Sequence, residues 1–276
     1  MNNTLRRTLD IIMFFVTFFL IQYLAYLGVH LVSGWLGGSA NEVSNAATAG
    51  ANGLSGKQLV VSSAIASVLT IAIFLRSKWA PISRNWLSTH PWTVLVWVIF
   101  LALGTILPSQ WIDDQMQISM PERTIKLFED IMGIPSGYLA LGILAPIAEE
   151  LVFRGAILRT LLKLFDNRMH WILIISSALI FGAAHGNLPQ FIHATLIGLL
   201  IGWMYYRTDS VIPGIVLHWV NNTVAYIMFN LMPHMADGKL IDLFHGSDRM
   251  MWLGIGFSLC ILIPSLLQLN IRLKQK

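Results

Sequence analysis

The chain has 276 residues, of which 12% are charged and 55% apolar, with a mean hydropathy of +0.66 and a net charge of +4. Soluble domains carry about twice that share of charge, so a water-soluble globule is excluded for want of polar surface. A disordered chain is excluded by the excess of apolar residues. An all-α polytopic membrane bundle remains, and at ~20 residues per crossing plus loops the length allows about eight transmembrane helices.

Apolar runs between Gly, Pro, Asn and charged residues give the expected spans in chain order. The first covers residues 9–32. Arg6 and Arg7 before it give it a signal-peptide look, but its apolar stretch exceeds the ~7–15 residues of a signal core, so it reads as a retained helix. Residues 34–56, rich in Gly, Ala, Ser and Asn, read as a flexible loop. Spans at 58–75 and 92–107 follow. Segment 112–137 reads as an outer loop holding Asp113 and Asp114. Within it, Pro121-Glu122 starts a short amphipathic surface helix whose apolar side is Ile125, Leu127, Phe128 and Ile131. The remaining spans are expected at 138–165, 171–185, 191–206, 212–232 and 251–271.

With the N-terminus placed in the cytoplasm, twelve Lys and Arg residues fall on the inner side. Five (Lys57, Arg123, Lys126, Lys239 and Arg249) fall on the outer side. The rule therefore expects both termini to be cytoplasmic, in a multi-pass protein of the cell (inner) membrane. The lone Cys260 offers no internal disulfide and no thiolate metal site. Nucleic acid is not expected as a partner; the lipid bilayer is.

Ionisable groups inside a bilayer cost several kcal/mol and mark functional sites by default. The fourth span carries Glu149-Glu150-Leu151-Val152-Phe153-Arg154. Glu150 and Arg154 are four apart and share a helix face, within reach of an ion pair. Glu149 is turned ~100° away and needs another donor. His185 ends the fifth span on the same face as Phe181, and His218 in the seventh shares a face with Asn222. At ~1.5 Å per residue Glu149, His185 and His218 come to a common depth. Gly186-Asn187-Leu188-Pro189 breaks the chain near that depth, which is tolerated only beside protein or a wet cavity. A carboxylate, two imidazoles, an amide and a wet cavity are the parts of a hydrolytic site.

These residues resemble the CAAX protease and bacteriocin-processing family, the Abi-type intramembrane proteases. Three motifs over roughly residues 143–228 carry the resemblance. Glu149-Glu150-x-x-x-Arg154 matches EExxxR, Phe181-x-x-x-His185 matches FxxxH, and His218-x-x-x-Asn222 matches a His with Asn four residues on. Tyr206-Arg207-Thr208-Asp209-Ser210, then Ile212-Pro213, is similar to the short connection before the third motif. The resemblance implies an intramembrane endopeptidase acting on a membrane-associated peptide or protein. It also implies Glu149 as general base on a water held with His185, and His218 and Asn222 as oxyanion donors. Glu150 and Arg154 are expected to orient the base and balance charge, with 151–153 and Phe181 packing the helices. No cofactor is expected. Proteins of this family are often named metalloproteases, and zinc stays open: its ligands here would be Glu149, His185 and His218. On this reading 1–136 holds N-terminal helices and outer loops, and 137–232 the catalytic core. Residues 233–276 form an outer loop, the last helix and a basic tail. The other functions the residues allow are a membrane scaffold or regulator, a bacteriocin-immunity protein, and a proton-coupled transporter, the last disfavoured by the lack of an inverted repeat.

Overall fold

The computed structural model describes residues 3–37, 54–81, 84–118, 120–165, 167–232 and 238–273. Among them the regular structure is helical throughout. Helix α1 is Asn3–Gly37, α2 Gly56–Arg76, α3 Trp92–Met116 and α4 Glu122–Met132. Helix α5 runs Pro135–Leu164. It is followed by α6 His170–Ala183, α7 Leu188–Thr208, α8 Ile212–Leu231 and α9 Asp248–Arg272. The expected all-α polytopic bundle is what forms.

Among the described residues five helices (α1, α2, α3, α7 and α9) are long and apolar enough to cross a membrane unaided, or six if α4 and α5 count as one bent span. The other two expected spans are α6 and α8. Helix α8 is diluted by His218, Asn221 and Asn222. Helix α6 has 14 residues, or ~21 Å against a hydrocarbon core of ~30 Å.

The amphipathic segment is a surface helix as expected: α4 buries no side chain fully and lies 105° from α5. Its apolar Ile125, Leu127 and Phe128 are half-buried, while Glu122, Lys126 and Glu129 are exposed. The boundary that differs most is in the third span. That span does not stop at 107, because α3 continues through Pro108 to Met116. Asp113 and Asp114 therefore lie on the last turns of a helix rather than in an outer loop. The carboxylate of Asp114 accepts from the Leu240 N–H at 2.6 Å, which holds that end against the segment ahead of α9. Of the small-residue loop expected over 34–56, residues 34–37 instead belong to the last turn of α1; 38–53, like 233–237 and the basic tail 274–276, lies outside the described residues.

Two apolar cores flank α5 and α8. One joins Phe14 and Phe18 of α1, Phe74 of α2, Phe153 of α5 and Phe181 of α6. Here the rings run in sequence, Phe18 to Phe153 at 5.6 Å and Phe153 to Phe181 at 5.0 Å between centroids. The first helix is thus part of the packed core. The second core joins Val98 and Leu101 of α3, Ile201 and Met204 of α7, Leu217 of α8 and Leu269 of α9. Basic helix ends dock on neighbouring helices. Arg7 donates to the Lys163 carbonyl. Arg207 donates to the carbonyls of Asn270 and Leu273, each at 2.9 Å.

Candidate active site

Helix α5 is not uniformly wound. Tyr138–Leu144 and Leu151–Leu158 are π-helical, and Ala145–Glu150 between them is α-helical. Such wide turns are uncommon and recur at functional sites. The first has a visible cause. The Ala145 N–H reaches back five residues to the Ala140 carbonyl, and the next residue, Pro146, has no N–H to offer Leu141. The Leu141 carbonyl instead accepts from Asn222 Nδ2 at 3.0 Å. A proline on α5 thereby fixes an amide on α8.

Glu150 and Arg154 form the expected pair and are almost wholly buried. Arg154 Nη1 donates to Glu150 Oε1 at 3.0 Å, with exposures of 1% and 0%. The guanidinium also donates to the Gly198 carbonyl at 3.3 Å and lies 4.3 Å from the Phe181 ring centroid. Glu150 does more than balance this charge, because His218 Nδ1 is 3.0 Å from the same Oε1. Gly214 gives the carboxylate its space: a Cβ there would stand 3.0 Å from Glu150 Oε2 and 2.5 Å from Ile201 Cγ2.

Glu149 faces elsewhere. It lines a cavity of about 220 Å³ together with His185, Gln22, Ser63, Ser67 and an apolar wall that includes Phe18, Phe153 and Phe181. Its Oε2 is buried without a hydrogen-bond partner and lies 3.8 Å from His218 Nε2. His185 sits just past the C-terminus of α6, where Gly186 at φ +71° breaks the chain. Its Nδ1 is 2.9 Å from the Phe181 carbonyl. A carbonyl only accepts, so Nδ1 carries the proton and Nε2 is left to accept. Phe181 is the hub of this arrangement. It supports the Arg154 guanidinium and meets the rings of His185 and His218 edge-on at 5.0 and 5.7 Å. It also lines the cavity with Phe153.

The structure therefore brings Glu149 and His185 to one cavity, and places His218 between the two glutamates. His218 and Asn222 stand off the cavity lining. Sequence reasoning missed His193 and Asp113. His193 Nδ1 on α7 is 3.8 Å from Asp113 Oδ2 on α3. The signal was a histidine eight residues past His185, hidden because Asp113 was assigned to a loop. As for zinc, Glu149, His185 and His218 do not converge as a ligand set. Among the described residues no three His, Cys, Asp or Glu side chains do.

Residues 132–224 match the family model described as Type II CAAX prenyl endopeptidase Rce1-like. The chain is also 26% identical over 177 residues to "Putative membrane peptidase YdiL" of Bacillus subtilis (strain 168), covering 61% of this chain and 70% of that one. The matched segment, about a third of the chain, resembles the CAAX protease family. The two matches support a peptidase of CAAX endopeptidase type, and the long apolar helices an integral membrane protein. No solved structure matches the chain. The matched segment contains Glu149, Glu150, Arg154, His185, His218 and Asn222. It leaves out the cavity wall from α1 and α2, and Asp113.

Proposed function

We propose that this protease hydrolyses its peptide with a water activated by Glu149. The observation that carries the reading is the orphaned Glu149 Oε2, a buried acceptor beside a cavity that also holds His185. Buried polar atoms without a protein partner call for water or a ligand proton. A water there is held by Glu149 and by His185 Nε2. Glu149 takes its proton as the hydroxyl oxygen bonds to the scissile carbonyl carbon. The oxyanion that forms accepts from Asn222 and from His218. The intermediate then collapses, the C–N bond breaks, and Glu149 returns the proton to the leaving amine.

Glu150 gives His218 its role. A carboxylate that accepts from Nδ1–H fixes the ring, and with a proton on Nε2 as well the ring can donate to an oxyanion. With His218 so charged, Glu149, Glu150, Arg154 and His218 sum to zero, as suits a low-dielectric interior. The donor geometry does not suit zinc, and the chemistry above runs on these side chains. The enzyme's place, on this reading, is the cell membrane with both termini cytoplasmic, and residues 137–232 form its catalytic core.

The test is cleavage of a membrane-peptide library by the purified full-length protein, followed by mass spectrometry. Glu149→Gln, His185→Ala and His218→Ala should each lower cleavage by ~10²-fold or more while remaining folded. Retention of cleavage by all three overturns the assignment. A chelator should leave the rate unchanged; a loss that zinc restores overturns the metal-free chemistry.

A further inference from the structure

The cavity beside Glu149 holds about 220 Å³, far more than the ~30 Å³ of liquid that one water takes up. Hydrolysis needs one attacking water, so most of the space is room for substrate. Its polar lining has two sources. Glu149 and His185 come from α5 and the end of α6; Gln22 comes from α1, and Ser63 and Ser67 from α2. These last three lie outside residues 132–224, the segment that matches the CAAX endopeptidase model, and the proposed chemistry does not use them. Ser67 is only 2% exposed, while Gln22 and Ser63 are half-buried. Among the described residues none of the three side chains has a hydrogen-bond partner. Polar groups so placed call for a partner from outside the protein. A substrate segment lying extended across the cavity has the complementary need, because its main-chain N–H and C=O groups are no longer satisfied within a helix. The spacing fits as well. Ser63 and Ser67 are four apart on α2, so they share a face and stand ~6 Å apart along its axis. Main-chain groups on one edge of an extended strand recur every second residue, ~6.6 Å. A hydroxyl both donates and accepts, and the Gln22 amide offers NH2 and C=O, so the three can answer N–H and C=O groups alike. The rings of Phe18, Phe153 and Phe181, which complete the lining, cannot.

We propose that Gln22, Ser63 and Ser67 are a substrate-binding wall: they hydrogen-bond the main chain of the peptide beside the scissile bond and hold it extended over Glu149. The proposal rests on the peptidase reading of the cavity. It adds the feature that the wall recognises, an unwound main chain rather than a particular side-chain sequence.

The experiment uses the full-length protein in detergent. The probe is the fluorescein-labelled library peptide that the Glu149→Gln protein binds most tightly, followed by anisotropy. In that background Ser63→Ala, Ser67→Ala and Gln22→Leu should each raise Kd about fivefold, the usual net worth of one hydrogen bond. With Glu149 restored, each should raise KM by a similar factor and leave kcat within about twofold. An ester scan of the probe supplies a readout that a merely structural role would not move, since each ester in place of an amide removes one main-chain N–H. At a bond that faces the wall, the ester should weaken binding to Glu149→Gln about fivefold and cost nothing further in the matching wall variant. Should Gln22→Leu fail to fold, the two serine variants carry the same measurements, because alanine is smaller and a better helix former. Kd unchanged by the substitutions, ester losses additive with them at every bond scanned, or no library peptide bound at all, overturns the wall. A fall in kcat with Kd unmoved overturns it too, and assigns the three side chains to water. Cleavage retained by Glu149→Gln would sink the catalytic reading instead, and the ester cycle, read then on KM, still reports the wall.

Discussion

Arg154→Ala isolates the buried pair. In the wild type Glu150 Oε1 receives donors from Arg154 and from His218, each at 3.0 Å, and Oε2 has no partner. Removing the guanidinium leaves a fully buried carboxylate with one imidazole. It also frees the Gly198 carbonyl and strips the cation from the Phe181 face. Breaking a buried pair on one side costs about 3–5 kcal/mol, and a desolvated cation–π contact is worth up to about 2 kcal/mol. The two overlap in one side chain, so the expected cost is about 3–5 kcal/mol in all. That shifts the folded-to-unfolded ratio by roughly 10²–10⁴, out of a usual stability of ~5–15 kcal/mol. Glu150→Gln with Arg154→Met removes both buried charges and should cost less than Arg154→Ala alone. Equilibrium unfolding in mixed micelles, read by the fluorescence of the ten tryptophans, measures both. The reasoning is refuted if Arg154→Ala stays within about 1 kcal/mol of wild type, or if the double substitution is the less stable of the two.

Glu149→Gln should separate chemistry from stability: its Oε2 has no hydrogen bond to lose and His218 stands 3.8 Å off, so unfolding should move by less than about 1 kcal/mol while cleavage falls. A large drop in stability would mean the carboxylate is structural. Gly214→Val puts branched carbon against Glu150 Oε2 and Ile201 Cγ2 and should cost about 1–3 kcal/mol by overpacking, checked by the same unfolding curves. Phe181→Leu keeps apolar bulk but loses the face under Arg154 and both imidazole contacts. Its folded yield and its cleavage should fall together, whereas an unchanged rate would argue against Phe181 as the hub. Gly186→Ala forces a side chain into φ +71° and should cost about 1 kcal/mol.

The helical class, the surface helix α4 and the Glu150–Arg154 pair were legible because each has a local cause: apolar run length, alternating apolar and charged residues, and a spacing of four. What stayed hidden depends on contacts between helices. That His218 binds Glu150 through Nδ1 and faces Glu149 through Nε2 follows from how α8 docks on α5, which no spacing within α8 encodes. The Asp113–His193 pair was lost at a boundary. Pro108 and two aspartates look like the end of a span, yet α3 continues through them because Asp113 and Asp114 find partners on α7 and ahead of α9. The Leu141 carbonyl that receives Asn222 was readable in principle, since Pro146 five residues on announces a missing donor. Reading it that way required the wider winding of α5.

Helix α6, shorter by roughly 9 Å than the apolar layer it stands in, has a mechanical consequence. Lipid beside it must thin or tilt, or neighbouring helices must cover the deficit, at a cost of fractions of a kcal/mol per ångström. The His185 end of the helix then sits under a shallower layer of hydrocarbon than the rest of the bundle. Water bound for Glu149 has less oil to cross there, and the thickness of the host bilayer becomes a control on how wet the site is.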